Sequence, residues 1–350
     1  MSLPTPTQTL AGGKVKVYHV DLHPYDDALS PRLAASASRA MAMVCVIDRA
    51  SVKNAVDRET AFALHSAFVT FANDDILRVA ILTGANETFC AGADLKSILH
   101  SNLHTDQAST SSQESVGESN LLDADMDAIA PMGVTRLAMN KPVIAAVEGF
   151  AVAGGMELAL WADLRVASET AQFGILCRLR GVPLIDGGTV RLPALVGGSR
   201  AADLALTGRL VSAKEAESIG LVNVVVPSGE ARGKGGFSRV VEKSLQIAAG
   251  LAANPQTCML NDRASMLNAV YGMTAETADP TDAADIREKD AGGKVDLRLK
   301  GGLRKAMQTE FELGLQSLSK LLEEGAVGAF VNRSQQQRQA DRAKARASNL

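Results

Sequence analysis

Short apolar runs alternate with longer amphipathic segments along the first half of the chain. A short run rich in β-branched residues predicts a buried strand, and apolar residues at helical spacing predict a helix. Strands are predicted at residues 15–20, 41–47, 79–83, 142–147 and 164–167, and helices at 59–73 and 155–162. The order strand, helix, strand favours right-handed β-α-β crossovers, so the predicted class is α/β.

Polar stretches interrupt this pattern and set the predicted domain organisation. Insertions are predicted near residues 21–40, 101–127 and 274–302. From Leu303, apolar residues such as Met307, Phe311 and Leu315 recur at helical steps. We therefore predict a core at residues 1–206, which carries the first two insertions, and a helical C-terminal module at residues 207–350, which carries the third.

Charge and composition narrow the class of function. The formal net charge of -3 provides no strong field toward nucleic acid or a membrane surface. The longest apolar stretch, near residues 143–162, is interrupted by Glu148 and Glu157, so no membrane span is expected. The four cysteines have apolar neighbours and no CxxC pair, which predicts buried thiols in a reducing compartment. No metal-binding pattern such as HExxH supports the His100 and His104 pair.

Two glycine-containing segments stand out after predicted strands. They are TFCAGADLK at residues 88–96 and EGFAVAGGMELAL at residues 148–160. Small residues let a ligand reach the backbone, and a helix N-terminus presents free N–H groups. Two such ends facing each other would hold one oxyanion. Tight packing alone would also explain the glycines of either segment.

Together these segments resemble the crotonase superfamily, the enoyl-CoA hydratase/isomerase family. The resemblance runs from about residue 44 to 226 and resumes in the C-terminal helices. Its motifs are Arg49 with Asn54 and Ala55, LTG at 82–84, FCAGADLK at 89–96, KPVIAAVEGFAVAGGMELAL at 141–160, AQFG at 171–174, GGTVRLPALVG at 187–197, LTGRLVSAKEAESIGLVN at 206–223 and EGAVGAF at 324–330. The resemblance implies a crotonase-type spiral of repeated β-β-α units with a C-terminal helical trimerisation module.

The resemblance also implies the site residues. The N–H groups of Ala93 and Gly154 would bind the thioester oxygen as an oxyanion hole, and Glu157 would be the catalytic carboxylate. Without the resemblance, the favoured interpretation of Glu157 is a helix-start residue stabilised by the helix dipole. Contacts with coenzyme A are implied for Lys53, Ala55, Ala91, Asp94, Leu95 and, from a neighbouring subunit, Phe330, which core packing would also explain.

One family position departs from the pattern. Counting from AQFG, the second family glutamate falls on Cys177, and the surrounding residues 175–180 contain no carboxylate. This departure places a two-glutamate hydration mechanism in doubt. Asp186 is a candidate second acid or base, because some family members place a functional aspartate in this loop; a turn residue ahead of two glycines is the other interpretation.

The expected function is hydration of a 2-enoyl-CoA through a stabilised thioester enolate, in fatty-acid or branched-chain amino-acid oxidation. Coenzyme A would be part of the substrate, with no separate cofactor. An isomerase or another enolate-forming reaction is the alternative within the family. An alternative without strong catalysis is an RNA-binding or scaffolding homologue. A serine protease would need a Ser–His pair, but all five histidines lie before residue 105 and none is in an evident nucleophile setting.

A homotrimer or a dimer of trimers is implied by the resemblance. The expected compartment is the mitochondrial matrix or the cytoplasm. A peroxisome-like organelle is the alternative, because the last residues, Ser348, Asn349 and Leu350, resemble an S-K-L address with Asn in place of Lys.

Overall fold

A mixed sheet organises the molecule. The computed structural model describes residues 4–25, 40–94, 122–228, 236–272, 293–299 and 301–323. The strands of this sheet are β1 (Gln8–Leu10), β2 (Val15–Asp21), β3 (Met41–Ile47), β4 (Leu77–Gly84), β5 (Val143–Val147), β7 (Leu164–Ser168) and β10 (Val224–Val226). Their order is β1-β2-β3-β4-β5-β7-β10. Pairing is antiparallel from β1 to β3 and parallel from β3 to β10.

Both faces of this sheet are buried, which explains the uninterrupted apolar runs. Within β3, Cys45 packs into the apolar cluster on one face and its neighbour Val44 into the cluster on the other. Helix α1 (Arg58–Asn73) contributes to the first cluster, and helix α6 (Arg239–Ala253) covers the second. A strand covered on both sides gains from an apolar residue at every position, so it shows no alternation.

A second, three-stranded sheet carries the start of helix α2 (Gly154–Trp161). Its order is β6 (Phe150–Val152), β8 (Gln172–Gly174) and β9 (Leu210–Ser212), with β6 parallel to β8. From the sequence, a helix is expected after β5 with no strand between them. The structure places β6 between them, because a three-residue strand leaves no periodic signal.

The remaining described helices lie in the second half of the chain. They are α3 (Gly188–Val196), α4 (Gly198–Thr207), α5 (Ala213–Ser218), α7 (Gln256–Gly272) and α8 (Gly301–Glu323). The predicted C-terminal helix is confirmed up to residue 323. The division at residue 206 stays a prediction; the strands β9 and β10, which follow it, pair with β8 and β7.

Much of the predicted insertions, at residues 26–39, 101–121 and 274–292, lies outside the described residues. In the described end of the third insertion, Leu297 is buried and its carbonyl accepts the Ala138 N–H at 2.9 Å, so this part of the chain joins the core. Of the cysteines, Cys45 is buried as predicted, but the prediction is wrong for Cys258, which lies exposed on α7. No helix in the described ranges combines the length and apolarity needed to cross a bilayer.

Candidate active site

The two glycine-containing segments run side by side where β4 and β5 end. The Cys90 N–H donates to the Phe150 carbonyl at 2.9 Å, and the Val152 N–H donates to the Cys90 carbonyl at 3.1 Å. A Cβ on Gly155 would lie 2.1 Å from the Cys90 carbonyl oxygen. Only glycine therefore lets α2 begin this close to the neighbouring segment. The structure brings together the two segments that the sequence singled out.

The N–H groups of Ala93 and Gly154 lie at this junction. Gly154 is the first residue of α2, and the first N–H groups of a helix have no intrahelical acceptor. Within the described part of the chain, neither the Ala93 nor the Gly154 N–H donates a hydrogen bond. A Cβ on Gly92 would lie 3.0 Å from the Gly154 nitrogen, so the two segments touch here. Both residues are half-buried, which leaves the two donors within reach of a ligand oxygen.

Backbone strain is found at the entrance to α2. Ala153 has φ 53° and ψ -128°, a conformation that costs a residue with a side chain about 1–3 kcal/mol. Its N–H donates to the Gly174 carbonyl at 2.9 Å, which ties the strained residue to β8. This bond to the second sheet helps to hold the orientation in which α2 leaves β6.

Four of the residues expected to contact coenzyme A lie together beside Ala93. They are Lys53, Ala55, Ala91 and Asp94. The Lys53 carbonyl accepts the Ala91 N–H at 3.0 Å, so the two stretches that carry these residues are joined. Leu95 and Phe330 lie outside the described residues. The structure thus groups the described members of the set at one edge of the candidate site.

The charged members of this group differ in their surroundings. The Asp94 carboxylate lies 3.3 Å from Arg49, whose guanidinium also pairs with Asp57 at 2.7 Å. The Lys53 side chain is exposed, and its ammonium lies 5.4 Å from the centre of the Phe150 ring. Lys53 therefore presents an exposed positive charge at this edge, whereas the Asp94 carboxylate is engaged with Arg49.

Glu157 lies one turn along α2 from Gly154 and is only 3% exposed. Its Oε1 accepts the N–H groups of Asp186 and Gly188, both at 2.9 Å. Burial raises the pKa of Glu157 well above its usual range, and the negative charges of Asp186 and Glu310 raise it further. A buried carboxyl group with a raised pKa, one helical turn from the N–H group of Gly154, is suited to general acid and base chemistry.

Asp186 is also buried, at 2% exposure. Its Oδ1 accepts the Met132 N–H at 3.1 Å and the Thr135 hydroxyl. The Gly188 N–H, which an aspartate turn would use, donates to Glu157 instead. Burial raises the pKa of Asp186, and the Thr135 and Met132 contacts oppose that rise. The Asp186 side chain is thus bound by Met132 and Thr135 and does not cap its own turn.

Cys177 occupies the position of the second family glutamate. It lies in the short 3-10 helix Leu176–Arg180 and is 8% exposed. Burial, followed by the negative charge of Glu157, raises the pKa of this thiol to about 12. Cys177 therefore stays a neutral thiol near Glu157 at physiological pH, and it supplies no carboxyl group.

Sequence reasoning missed a third buried carboxylate, Glu310 of α8, and the buried Arg191 of α3. Glu310 is 6% exposed, and burial raises its pKa. The Arg191 guanidinium donates to the carbonyls of Asp186 at 2.9 Å and Thr135 at 2.7 Å. One signal was present: Glu310 falls three residues after Met307, on the apolar stripe of the predicted helix, where a carboxylate is unexpected.

Comparison with known proteins places the chain in a family. The family model described as Enoyl-CoA hydratase/isomerase matches residues 38–279. The chain is similar to mevalonyl-coenzyme A hydratase of Beauveria bassiana (strain ARSEF 2860), with 35% identity over 225 residues, which is 64% of this chain and 75% of that protein. It is also similar to carnitinyl-CoA dehydratase of Salmonella enteritidis PT4, with 40% identity over 179 residues, which is 51% of this chain and 62% of that protein.

Solved structures of similar proteins support the same family. A carnitinyl-CoA dehydratase from Mycobacterium avium 104 matches with a TM-score of 0.58 and 27% identity, over 82% of this chain and 91% of that chain. An enoyl-CoA hydratase from Mycobacterium tuberculosis H37Rv matches with a TM-score of 0.52 and 32% identity, over 68% of this chain and 81% of that chain. The predicted crotonase-type fold and the prediction of an enzyme are confirmed. The chain belongs to the enoyl-CoA hydratase/isomerase family.

Proposed function

We propose that this enzyme adds water to the double bond of a 2-enoyl-CoA, or removes it from the 3-hydroxyacyl product. The observation that carries the proposal is a buried carboxylate, Glu157, one helical turn from Gly154, whose N–H donates to no acceptor in the described part of the chain. The names of two similar proteins, a mevalonyl-CoA hydratase and a carnitinyl-CoA dehydratase, support both the coenzyme A thioester and the gain or loss of water.

The thioester oxygen would accept hydrogen bonds from Ala93 and Gly154. Addition of a nucleophile at C3 moves electrons toward this oxygen, so its negative charge grows as the enolate forms. Backbone donors that are already oriented stabilise this charge without reorganisation, and a single donor of this kind is worth roughly 3–4 kcal/mol.

Hydration places a hydroxyl group on C3 and a proton on C2. In the proposal, the Glu157 carboxylate takes a proton from the attacking water, and Asp186 supplies a proton to C2. Asp186 would replace the glutamate that is missing at Cys177. The raised pKa of Asp186 lets this carboxyl group hold a proton closer to neutral pH. Proton exchange with solvent then returns both carboxyl groups to their starting states.

Isomerisation is the second candidate, and the observation that favours it is Cys177. Moving a double bond from C3 to C2 requires one proton to leave C2 and one to arrive at C4. A single carboxyl group can carry that proton between the two carbons, so the reaction does not require a carboxylate at position 177. Glu157 and the same two N–H donors would serve this reaction as well.

One pair of assays separates the two reactions. Hydration of crotonyl-CoA lowers the absorbance of the enoyl thioester, whereas isomerisation of 3-hexenoyl-CoA raises it. We expect turnover of crotonyl-CoA, with loss of that turnover in Glu157→Gln and retention in the exposed control Glu217→Gln. A folded wild type that turns over 3-hexenoyl-CoA alone would reject hydration, and one that turns over neither would reject both reactions.

The assembly, the pathway and the compartment belong to the same proposal. We propose a homotrimer or a dimer of trimers that works in oxidation of fatty or branched-chain acyl groups. We propose the mitochondrial matrix, the cytoplasm or a peroxisome-like organelle as its location. Size-exclusion chromatography with light scattering tests the assembly, and imaging of the tagged chain with and without residues 348–350 tests the C-terminal address.

A further inference from the structure

The C-terminal helix α8 packs directly on the loop that holds Asp186. A Cβ on Gly314 would lie 2.3 Å from the Ile185 side chain, so glycine allows the helix to lie close against this loop. One turn earlier, Glu310 reaches the backbone of residues 187–189. The next residue, Phe311, carries the Arg136 guanidinium over its ring, 4.7 Å from the centre. The helix is thus fixed to the site at successive turns.

The backbone N–H groups of residues 186–189 are shared between two carboxylates. Glu157 accepts those of Asp186 and Gly188, both at 2.9 Å. Glu310 accepts the N–H of Gly187, and at 2.7 Å both the N–H and the hydroxyl of Thr189. These four N–H groups span the entry to α3, from the residue before its N-cap to its second residue, so α2 and α8 hold the same helix N-terminus from two sides.

We propose that Glu310 is a positioning residue for the reaction: by holding the turn at residues 187–189, it fixes the orientation and the electrostatic environment of Glu157. The inference rests on the catalytic role proposed for Glu157. Glu157 is bound by the same turn, so movement of that turn moves the two N–H groups that orient its carboxylate. A displacement of about 1 Å in a reacting group can cost roughly a hundredfold in rate.

The charge of Glu310 gives the proposal a second consequence. The groups that face Glu157 are Asp186 in the loop, Arg191 on α3, Cys177 on the 3-10 helix and Glu310 on α8. A neighbouring negative charge raises the pKa of a carboxyl group. Removal of the Glu310 charge therefore lowers the pKa of Glu157, and the base stays ionised to a lower pH.

The test is Glu310→Gln, compared with Glu312→Gln, an exposed glutamate on the same helix. With crotonyl-CoA as the probe, we expect kcat to fall about ten- to a hundredfold, because the amide presents a donor to one of the N–H groups. KM should stay within about threefold, since the residues expected to contact coenzyme A lie near residues 53–55 and 91–94, away from α8. The acid limb of the pH profile should move to lower pH. Glu312→Gln should match the wild type in kcat, in KM and in the pH profile.

A matched pair at Thr189 covers the case in which Glu310→Gln does not fold. Thr189→Val removes the hydroxyl that donates to Glu310, and Thr189→Ser keeps it. We expect Thr189→Val to lower kcat in the same direction by a smaller factor, and Thr189→Ser to match the wild type. Wild-type kcat and pH profile in Glu310→Gln, or equal values in the two Thr189 variants, would overturn the proposal.

The outcome for Glu310 can be separated from that for the reaction. If crotonyl-CoA is not turned over, isomerisation of 3-hexenoyl-CoA provides the same kcat and pH readout. Full activity in Glu157→Gln would show that the proposed role of Glu157 is wrong. Loss of activity in Glu157→Gln together with an unchanged Glu310→Gln would leave that role standing and reject the positioning role alone.

Discussion

The two halves of the candidate site are built in different ways. The oxyanion half, at residues 89–94 and 149–155, is made of backbone N–H groups that small residues bring into contact. The carboxylate half consists of the side chains of Glu157, Asp186 and Glu310, which come from α2, a loop and α8. One half depends on the space around the backbone, and the other on contacts between side chains and turns that are distant in sequence.

This difference determines how each half should respond to mutation. In the oxyanion half, an added methyl group meets rigid backbone or a flexible side chain, and the outcome follows from which one it meets. In the carboxylate half, replacement of a carboxylate by an amide keeps the shape and changes the charge and the hydrogen bonds. Variants in the first half should therefore fail to fold where the methyl group meets backbone, and fold with a lower rate where it meets a side chain. Variants in the second half should change the rate and its pH dependence.

The largest effect is expected at adjacent glycines of the oxyanion half. Gly155→Ala places a methyl group 2.1 Å from the Cys90 carbonyl oxygen, and that backbone cannot move aside. We expect little folded protein, measured as soluble yield and circular dichroism. Gly154→Ala meets the Met132 side chain, whose sulfur lies 2.7 Å from the added methyl group and which is flexible. This variant should fold and lose about tenfold in kcat; equal behaviour of the two would contradict the comparison.

In the carboxylate half, Asp186→Asn should lower turnover about a hundredfold at unchanged affinity for coenzyme A. The amide keeps an acceptor for the Met132 N–H but cannot deliver a proton to C2. Steady-state kinetics and calorimetric titration with coenzyme A measure the two quantities. The exposed Asp75→Asn is the control. Unchanged turnover in Asp186→Asn would assign this residue to structure alone.

Removal of the buried negative charge of Glu157 should also raise the melting temperature of the protein. Burial raises the pKa of Glu157, so the folded protein binds this proton more tightly than the unfolded chain does. The contribution of Glu157 to stability is therefore full at low pH and is lost as the pH rises through the raised pKa. Glu157→Gln should raise the melting temperature by about 2–4 °C at pH 8. The difference should vanish near pH 4, and a lower melting temperature at pH 8 would contradict the assignment.

The smallest effect is expected at Cys177. Because its pKa is raised to about 12, the thiol stays neutral and takes no part in proton transfer. Cys177→Ala should leave kcat within about threefold of the wild type, and iodoacetamide should not inactivate the enzyme at pH 7.5. A tenfold loss in Cys177→Ala would give this thiol a role that the comparison does not assign.

Local patterns identified the two segments that form the oxyanion half, whereas Ala93 and Gly154 were assigned within them from the family resemblance. The strands β3 and β5 are apolar along their whole length because both faces are covered, and that pattern is visible in the sequence. The close approach of residues 90 and 155 requires glycine at position 155, so the glycine in the motif indicates this contact. The short strand β6 was missed, because three residues show no period.

The carboxylate half was less predictable, because its contacts join distant parts of the chain. Glu310 lies 123 residues after Gly187, whose N–H it accepts. Its position on the apolar stripe of α8 showed only that a carboxylate is buried there. The sequence did not show which turn it holds, since that depends on how α8 packs across α3. Asp186 was identified as a candidate, but the partners of its side chain, Met132 and Thr135, were not.

The most direct test of the central claim is the turnover of crotonyl-CoA by the wild type and by Glu157→Gln, measured together with the affinity of each for coenzyme A. The proposed site predicts a loss of about 10²- to 10⁴-fold in kcat in the variant, with the affinity unchanged. Equal turnover in the two folded proteins would contradict the claim that Glu157 moves the proton.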